Sequence, residues 1–261
     1  MKLVSIIMTC HNGERYLVDS INSIINQTYE NWEIIFIDNF SSDKSKKIVN
    51  SFKDKRIKYH KTDKLLNLGN VRTMALSLSK GEFISFLDVD DLWLEKKLEL
   101  QIKKFLFNEK IDVVYTNYYK MTENNYSKIN KKLYSGYCKK EVIQSYLKGK
   151  PLTAWLTLMI KKSSLKKLDY YFDGKLHITS DFDLIIRLSE FSYFEYLDDY
   201  LCKYRIHEDN ESKNKKSEIS ELAYIINKFN KNNELSKILS TNYFAQKIKL
   251  KNFLYNINLL N

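Results

Sequence analysis

A succession of short apolar runs, each rich in Val, Ile or aromatic residues and each closed by polar ones, limits this chain to few folds. The runs are residues 2–9 (KLVSIIMT), 32–38 (WEIIFID), 56–61 (RIKYHK), 82–88 (EFISFLD) and 112–119 (DVVYTNYY). Several lack the apolar–polar alternation of a strand with one wet face, so both of their faces must be covered. Segments of helical period separate them. In residues 13–27, Tyr16, Leu17, Ile21, Ile24 and Ile25 recur at turn spacing; residues 41–52 open on cap residues; residues 70–80 are stopped by Gly81; residues 92–108 form a long amphipathic stretch. Doubly covered strands alternating with helices predict an α/β fold with a mostly parallel central sheet flanked by helices. Such sheets hold ligands beyond the carboxyl ends of their strands.

After about residue 124 the pattern weakens. Residues 156–162 read as a strand, 180–191 as an amphipathic helix and 193–207 as strand–turn–strand, and the C-terminal stretch reads as two helices divided near 231–236. With 261 residues, 44% of them hydrophobic, the chain can build one large domain or a domain with a small appendage, and only 6 Gly and 1 Pro exclude low-complexity linkers. Cys10, Cys138 and Cys202 show neither CxxC nor zinc-ligand spacing, and unpaired thiols fit a reducing cytosol. The N-terminus lacks the features of a signal peptide, and no apolar run reaches the roughly 18 residues of a membrane helix. No G-x-G spacing, P-loop or serine elbow occurs, which disfavours a dinucleotide dehydrogenase, a P-loop NTPase and a serine hydrolase. The net charge is +11, and residues 128–175 hold 12 Lys against 3 acids. This stretch is either a solvated lysine-rich surface or a face for phosphates, anionic lipid or nucleic acid.

The chemistry gathers where the early runs end: Thr9-Cys10-His11-Asn12, Asp38-Asn39 and Asp88-Val89-Asp90-Asp91. In an extended segment Asp88 and Asp90 share a face, where two carboxylates would repel and raise each other's pKa. A hard divalent cation, Mn²⁺ or Mg²⁺, would remove that penalty. Asp91 reads as the N-cap of the following helix.

Residues 4–45 (VSIIMTCHNGERYLVDSINSIINQTYENWEIIFIDNFSSDKS), LGNVR (68–72), GEFISFLDVDDLWLEKKLE (81–99), SDFDLIIRLSE (180–190) and YRIHEDNES (204–212) together resemble the family 2 inverting glycosyltransferases of the GT-A fold. The resemblance implies a nucleotide-diphospho-sugar transferase domain over 1–215, a nucleotide-sugar-binding half at 1–124, an acceptor-binding half at 125–215, and a C-terminal helical extension at 216–261. It implies a UDP-sugar donor, a divalent cation and a glycan or lipid-linked acceptor. Thr9, His11 and Glu14 would line or neighbour the nucleoside pocket, and Asp38 would sit by uracil and ribose. Arg72 would meet the base or diphosphate, Asp88 the ribose or sugar, and Arg205 the phosphates. Asp90 would bind the metal, with His207 as a further ligand. Asp181 would be the catalytic base, with Asp183 as fallback. An inverting displacement needs one base and no protein nucleophile.

The chain departs from the family pattern at Cys10-His11, at Asn39 after Asp38, and at Ser180 where a Glu is usual. It lacks the Gln-x-x-Arg-Trp motif of processive synthases, which implies transfer of a single sugar. A sugar nucleotidyltransferase would share the sheet and aspartates but usually carries a Gly-rich basic loop after the first strand, where this chain has only Gly13 and Arg15. A non-enzymatic nucleic-acid or anion binder would use the positive charge, but no nucleic-acid-binding motif is present. The expected setting is cytoplasmic, with peripheral contact at the inner membrane face through the lysine-rich stretch or the basic tail 242–260, and with packing of that tail on the domain or in a homodimer as the other reading.

Overall fold

Side chains alternate between the faces of a strand, and both faces of the first strand are filled. A computed structural model describes residues 1–123, 125–130, 134–147, 153–210, 214–229, 248 and 251. In β1 (Val4–Cys10), Val4, Ile6, Met8 and Cys10 pack with Leu17, Ile21 and Ile24 of α1 (Leu17–Ile25). Ile7 points the other way, into a cluster with Val71, Ala75 and Leu76 of α3 (Leu68–Leu78). β2 (Trp32–Asp38) repeats the division and is buried along its whole length. Each such side chain contributes about 1.5–3 kcal/mol on leaving water, so this double-sided packing makes a firm base for the loops above it.

The strand order is β3 (Ile57–Lys61), β2, β1, β4 (Phe83–Phe86), β8 (Met159–Lys161), β6 (Ile111–Met121), β9 (Tyr193–Arg205), β5 (Leu92–Trp93), with β7 (Tyr126–Ile129) paired to β6. The first four are parallel, as helical crossovers require. β8 then runs antiparallel to both β4 and β6, and β5 runs antiparallel to β9. The sheet is therefore parallel on the N-terminal side and mixed beyond β4. Gly81 is needed at the entry to β4, because a Cβ there would stand 2.4 Å from the Ser5 backbone nitrogen.

Two sequence expectations give way. Residues 193–207 are not strand–turn–strand; β9 is one strand, pairing in parallel with β6 from Tyr193 to Arg205. Asp198 and Asp199 are absorbed in a bulge, where pairing passes from Thr116↔Leu197 to Asn117↔Tyr200 and Asn117 Nδ2 donates to Asp198 Oδ1 at 2.8 Å. The long helix expected from residue 92 begins later, as α4 (Lys97–Phe107), because Leu92 and Trp93 pair with Lys203 and Cys202 as β5.

α8 (Lys215–Phe229) is the first of the two expected terminal helices. Its Ala223, Ile225, Ile226 and Phe229 share an apolar cluster with Ile143 of α5 (Lys139–Leu147) and with Phe182 and Ile186 of α7 (Ser180–Ser189). The second helix and the amphipathic tail 242–260 lie outside the described residues, Ile248 and Lys251 excepted. Among the described residues no helix is long and apolar enough to cross a membrane.

Candidate active site

The aspartate cluster follows from how β4 ends. Leu87 still donates its N–H to Ile7 O at 3.1 Å, and then the chain turns: Asp91 N–H donates to Asp88 O at 3.1 Å. Ser20 Oγ donates to the same Asp88 carbonyl at 3.2 Å. Asp88 and Asp90 thus occupy a turn, not the extended segment the sequence suggested. Asp91 is not a helix cap either. It is 2% exposed, lies six residues ahead of α4, and accepts the Arg205 N–H at 2.9 Å. That bond ties the turn to the end of β9.

The residues after β9 close around Asp90. Arg205 Nε donates to the Asp90 carbonyl at 2.8 Å while its guanidinium lies 4.4 Å from the centre of the Tyr16 ring. His207 Nε2 stands 2.8 Å from Asp90 Oδ2, and Asn210 Nδ2 stands 3.4 Å from the same oxygen. Opposite, α3 presents Arg72, only 5% exposed. Its Nη1 donates to Ser180 Oγ at 2.8 Å, and its Nη2 lies 3.5 Å from Asp88 Oδ1. The guanidinium also rests 4.3 Å from the Trp155 ring centre, and Trp155 in turn stacks on Phe86 at 3.8 Å.

A recess of about 500 Å³ opens between these groups, and Thr9, His11, Arg72, Asp88, Asp90 and Asp181 all line it. Crowding inside it shows in the acidities. Burial, reinforced by the carboxylates of Asp90 and Asp181 and opposed by Arg72, pushes Asp88 up to about 6. The Asp88 side chain still has 39% of its surface open at the mouth, so solvent screens part of this effect. Burial also raises Asp181, with Arg72 pulling it back. Burial and then Asp90 and Asp88 hold Asp91 well above the carboxylate range.

Five predicted residues stand elsewhere. Asp38 is 0% exposed and accepts Ser41 N–H at 2.8 Å and Tyr59 O–H at 2.6 Å, so it braces the floor beneath the recess. Its neighbour Asn39 lines the recess instead. Glu14 is exposed and accepts the Lys44 N–H at 2.8 Å, joining the first loop to the start of α2 (Ser45–Ser51). Arg205 and His207 stand behind Asp90 rather than on the wall. Asp183, the fallback base, is 0% exposed and held by Arg187 Nε at 2.9 Å and Lys228 Nζ at 2.7 Å.

Sequence reasoning passed over Asn210, and over Glu218 and Leu222 of α8, and it marked Ser180 only as a departure from the family pattern. Ser180 and Asn210 adjoin residues already singled out, and that proximity was the signal. Glu218 and Leu222 line the recess from a helix with no motif of its own.

These residues fit a divalent cation. The recess is lined by several carboxylates and by Arg72, and a divalent cation would offset the repulsion between those carboxylates and an anionic ligand. Asp90 Oδ2 and His207 Nε2, 2.8 Å apart, match neighbouring ligands of an octahedral shell with bonds of about 2.1 Å. Among the described residues the buried His207 Nδ1 has no hydrogen-bond partner. Among the described residues no three His, Cys, Asp or Glu side chains form a ligand group. Such a set suits Mg²⁺ or Mn²⁺, which take few protein ligands and complete the shell with water and substrate phosphates.

The family model described as "Glycosyl transferase family 2" matches residues 5–169. An uncharacterized glycosyltransferase of Methanocaldococcus jannaschii is 37% identical over 209 residues, 78% of this chain and 71% of that protein. The Escherichia coli protein WfgD, a UDP-Glc:alpha-D-GlcNAc-diphosphoundecaprenol beta-1,3-glucosyltransferase, is 42% identical over 123 residues, 47% of this chain and 48% of that enzyme. Among solved structures, residues 1–349 of S. aureus TarS in complex with UDP-GlcNAc superpose with a TM-score of 0.72 at 19% identity, covering 98% of this chain and 73% of that one. The mannosyltransferase PcManGT of Pyrobaculum calidifontis, in complex with GDP-Man and Mn²⁺, superposes with a TM-score of 0.67 at 14% identity, covering 96% and 69%. These likenesses identify the fold as GT-A.

Proposed function

Since the chain belongs to glycosyl transferase family 2, we propose that it moves a single hexose from a UDP-sugar to a hydroxyl of a cell-surface glycan or lipid-linked oligosaccharide, inverting the anomeric carbon. The observation that carries this reading is the joining of two chemistries by one side chain. Arg72 meets Asp88 on the donor-side turn and Ser180 beside Asp181. A cationic group for a diphosphate and a carboxylate for a proton therefore share one recess.

In this reading Asp90 and His207 would hold the cation, and the chemistry it would supply when bound is neutralisation of charge on the diphosphate. Arg72 adds a fixed positive charge to the same end and is held in place by Ser180 and Trp155. Thr9, His11 and Asn39 form the nucleoside wall. Asp181 accepts the proton of the acceptor hydroxyl as its oxygen bonds to the anomeric carbon and the bond from that carbon to the UDP oxygen breaks. Its raised pKa makes it a stronger base than a surface aspartate. The names of the E. coli relative and of the UDP-GlcNAc complex support a UDP-sugar and a lipid-linked acceptor. With such an acceptor the lysine-rich stretch 128–175 would face anionic headgroups; sedimentation with anionic vesicles tests this, and failure to pellet refutes it.

A donor screen by nucleotide release, with Mn²⁺ or Mg²⁺ and then with chelator, tests the main reading. Release of UDP from one UDP-sugar, lost with chelator, is expected. No release from any UDP-sugar, or release indifferent to chelator, refutes it.

A further inference from the structure

α8 contributes a carboxylate to the backbone that carries Asp181. Glu221 Oε1 accepts the N–H groups of His177 at 3.0 Å and Ile178 at 3.3 Å. Glu221 Oε2 accepts the Thr179 N–H at 2.8 Å and the Thr179 hydroxyl at 2.9 Å. Three successive backbone N–H groups thus form a concave anion site, the arrangement that elsewhere receives phosphate, and here a side chain 42 to 44 residues away fills it. Bonds to an ionised acceptor are about twice as strong as neutral ones. Together they fix the approach to α7, whose N-cap is Thr179 and whose second residue is Asp181.

His177, Ile178 and Thr179 all line the recess, as do Glu218 and Leu222 from the helix that supplies Glu221. A second polar contact docks the same helix without touching this segment: Lys228 Nζ donates to Asp173 Oδ2 at 2.8 Å and Asp183 Oδ1 at 2.7 Å. Docking and clamping are therefore done by different residues of α8.

We propose that Glu221 is a positioning residue for the transfer step, holding residues 177–179 so that Asp181 stands in register with the acceptor hydroxyl. This rests on Asp181 being the base. Misplacement of a base by about 1 Å costs on the order of 100-fold. Among the described residues the hydrogen bonds of Glu221 go to residues 177–179 and none to the turn of Asp88 and Asp90, so the loss should fall on kcat.

The test compares Glu221→Gln, Glu221→Ala, Lys228→Met and Asp181→Asn in the full chain, reading kcat, donor KM and melting temperature with the UDP-sugar that the donor screen identifies. Glu221→Gln keeps the size and one acceptor oxygen but turns an amide N–H₂ toward the donors. Expected are a kcat loss of about 10-fold for Gln and about 100-fold for Ala, donor KM within about 2-fold, and near-normal kcat for Lys228→Met even if its melting point falls further. Glu221→Ala with kcat within about 2-fold of the parent, while Asp181→Asn is inactive, overturns the clamp but leaves the base. A Lys228→Met variant that loses kcat as Glu221→Gln does overturns it too, because docking alone would then explain the loss. Near-normal turnover by Asp181→Asn overturns the base assignment, and the clamp falls with it.

Discussion

The two aspartate-bearing segments of the recess are held by different means. The turn carrying Asp88 and Asp90 extends a parallel strand buried on both faces, and its own backbone closes it through the Asp91–Asp88 bond. The segment carrying Asp181 follows no strand; Glu221 and Ser180, bonded to a distant backbone and to Arg72, locate it. Two lessons follow. The turn of Asp88 and Asp90 rests on its own backbone and on the sheet, tied down further by Arg205 and His207 after the long β9 pairing, whereas the segment of Asp181 depends on side chains that α8 and α3 supply.

Asp181→Asn and Asp90→Ala should separate the sides most widely. Both are expected to lower transfer by about 1,000-fold, but Asp181→Asn should still bind UDP with Mn²⁺ while Asp90→Ala should not; calorimetry with UDP and Mn²⁺ checks this. Equal UDP affinity in both variants would erase the distinction. Arg72→Met, which touches both sides, should raise donor KM and lower kcat together, by about 10- to 100-fold in kcat/KM; a change in only one of them breaks the idea of a shared hinge. His207→Ala should raise the Mn²⁺ concentration for half-maximal rate by about 10- to 100-fold and restore most of the rate at saturating metal.

Smaller effects refine the picture. As the proposed base Asp181 must be ionised, and its raised pKa means activity should fall on acidification before an ordinary aspartate would protonate. The Glu218 charge contributes to that elevation, so Glu218→Gln should lower the Asp181 pKa and move the acid limb of the kcat/KM profile toward lower pH. An unmoved or upward-shifted limb counts against Asp181 as the titrating group. Smallest is Tyr59→Phe, which removes one bond to the buried Asp38 carboxylate. It should cost about 1–3 kcal/mol in chemical denaturation and leave donor KM unchanged; a raised KM would return Asp38 to the nucleoside pocket.

The same contrast governs what could be read from the chain beforehand. β1, β2 and β4 were legible because Val and Ile runs covered on both faces leave few alternatives, and their polar ends marked the recess. The resemblance added Arg72 and Asp181, which no periodicity would have joined across 109 residues. Local reasoning failed where tertiary pairing overrode it. Leu92 and Trp93 fit an amphipathic helix but pair with β9, and Asp91 suits a cap but is taken by the Arg205 amide. Lys97 fits the wet face of that same helix yet is 0% exposed, donating to Ser85 Oγ at 2.9 Å and Gln101 Oε1 at 2.7 Å, and burial lowers its pKa to about 8. Asp38 ends its strand as Asp88 follows its own, but Tyr59 on the neighbouring β3 captures it. Glu221 carried no signal, since nothing local distinguishes it from any other helix glutamate.

The bond from the Arg205 amide to Asp91 has a use of its own. An amide proton donated to a carboxylate resonates at a position sensitive to the length of that bond, and its exchange with solvent is slow while the bond persists. Arg205 is therefore a native spectroscopic probe, placed where β9 meets the turn that bears Asp88 and Asp90. In a titration with UDP and Mn²⁺, its nitrogen–proton signal would report occupancy of the nucleotide side without any label on the nucleotide.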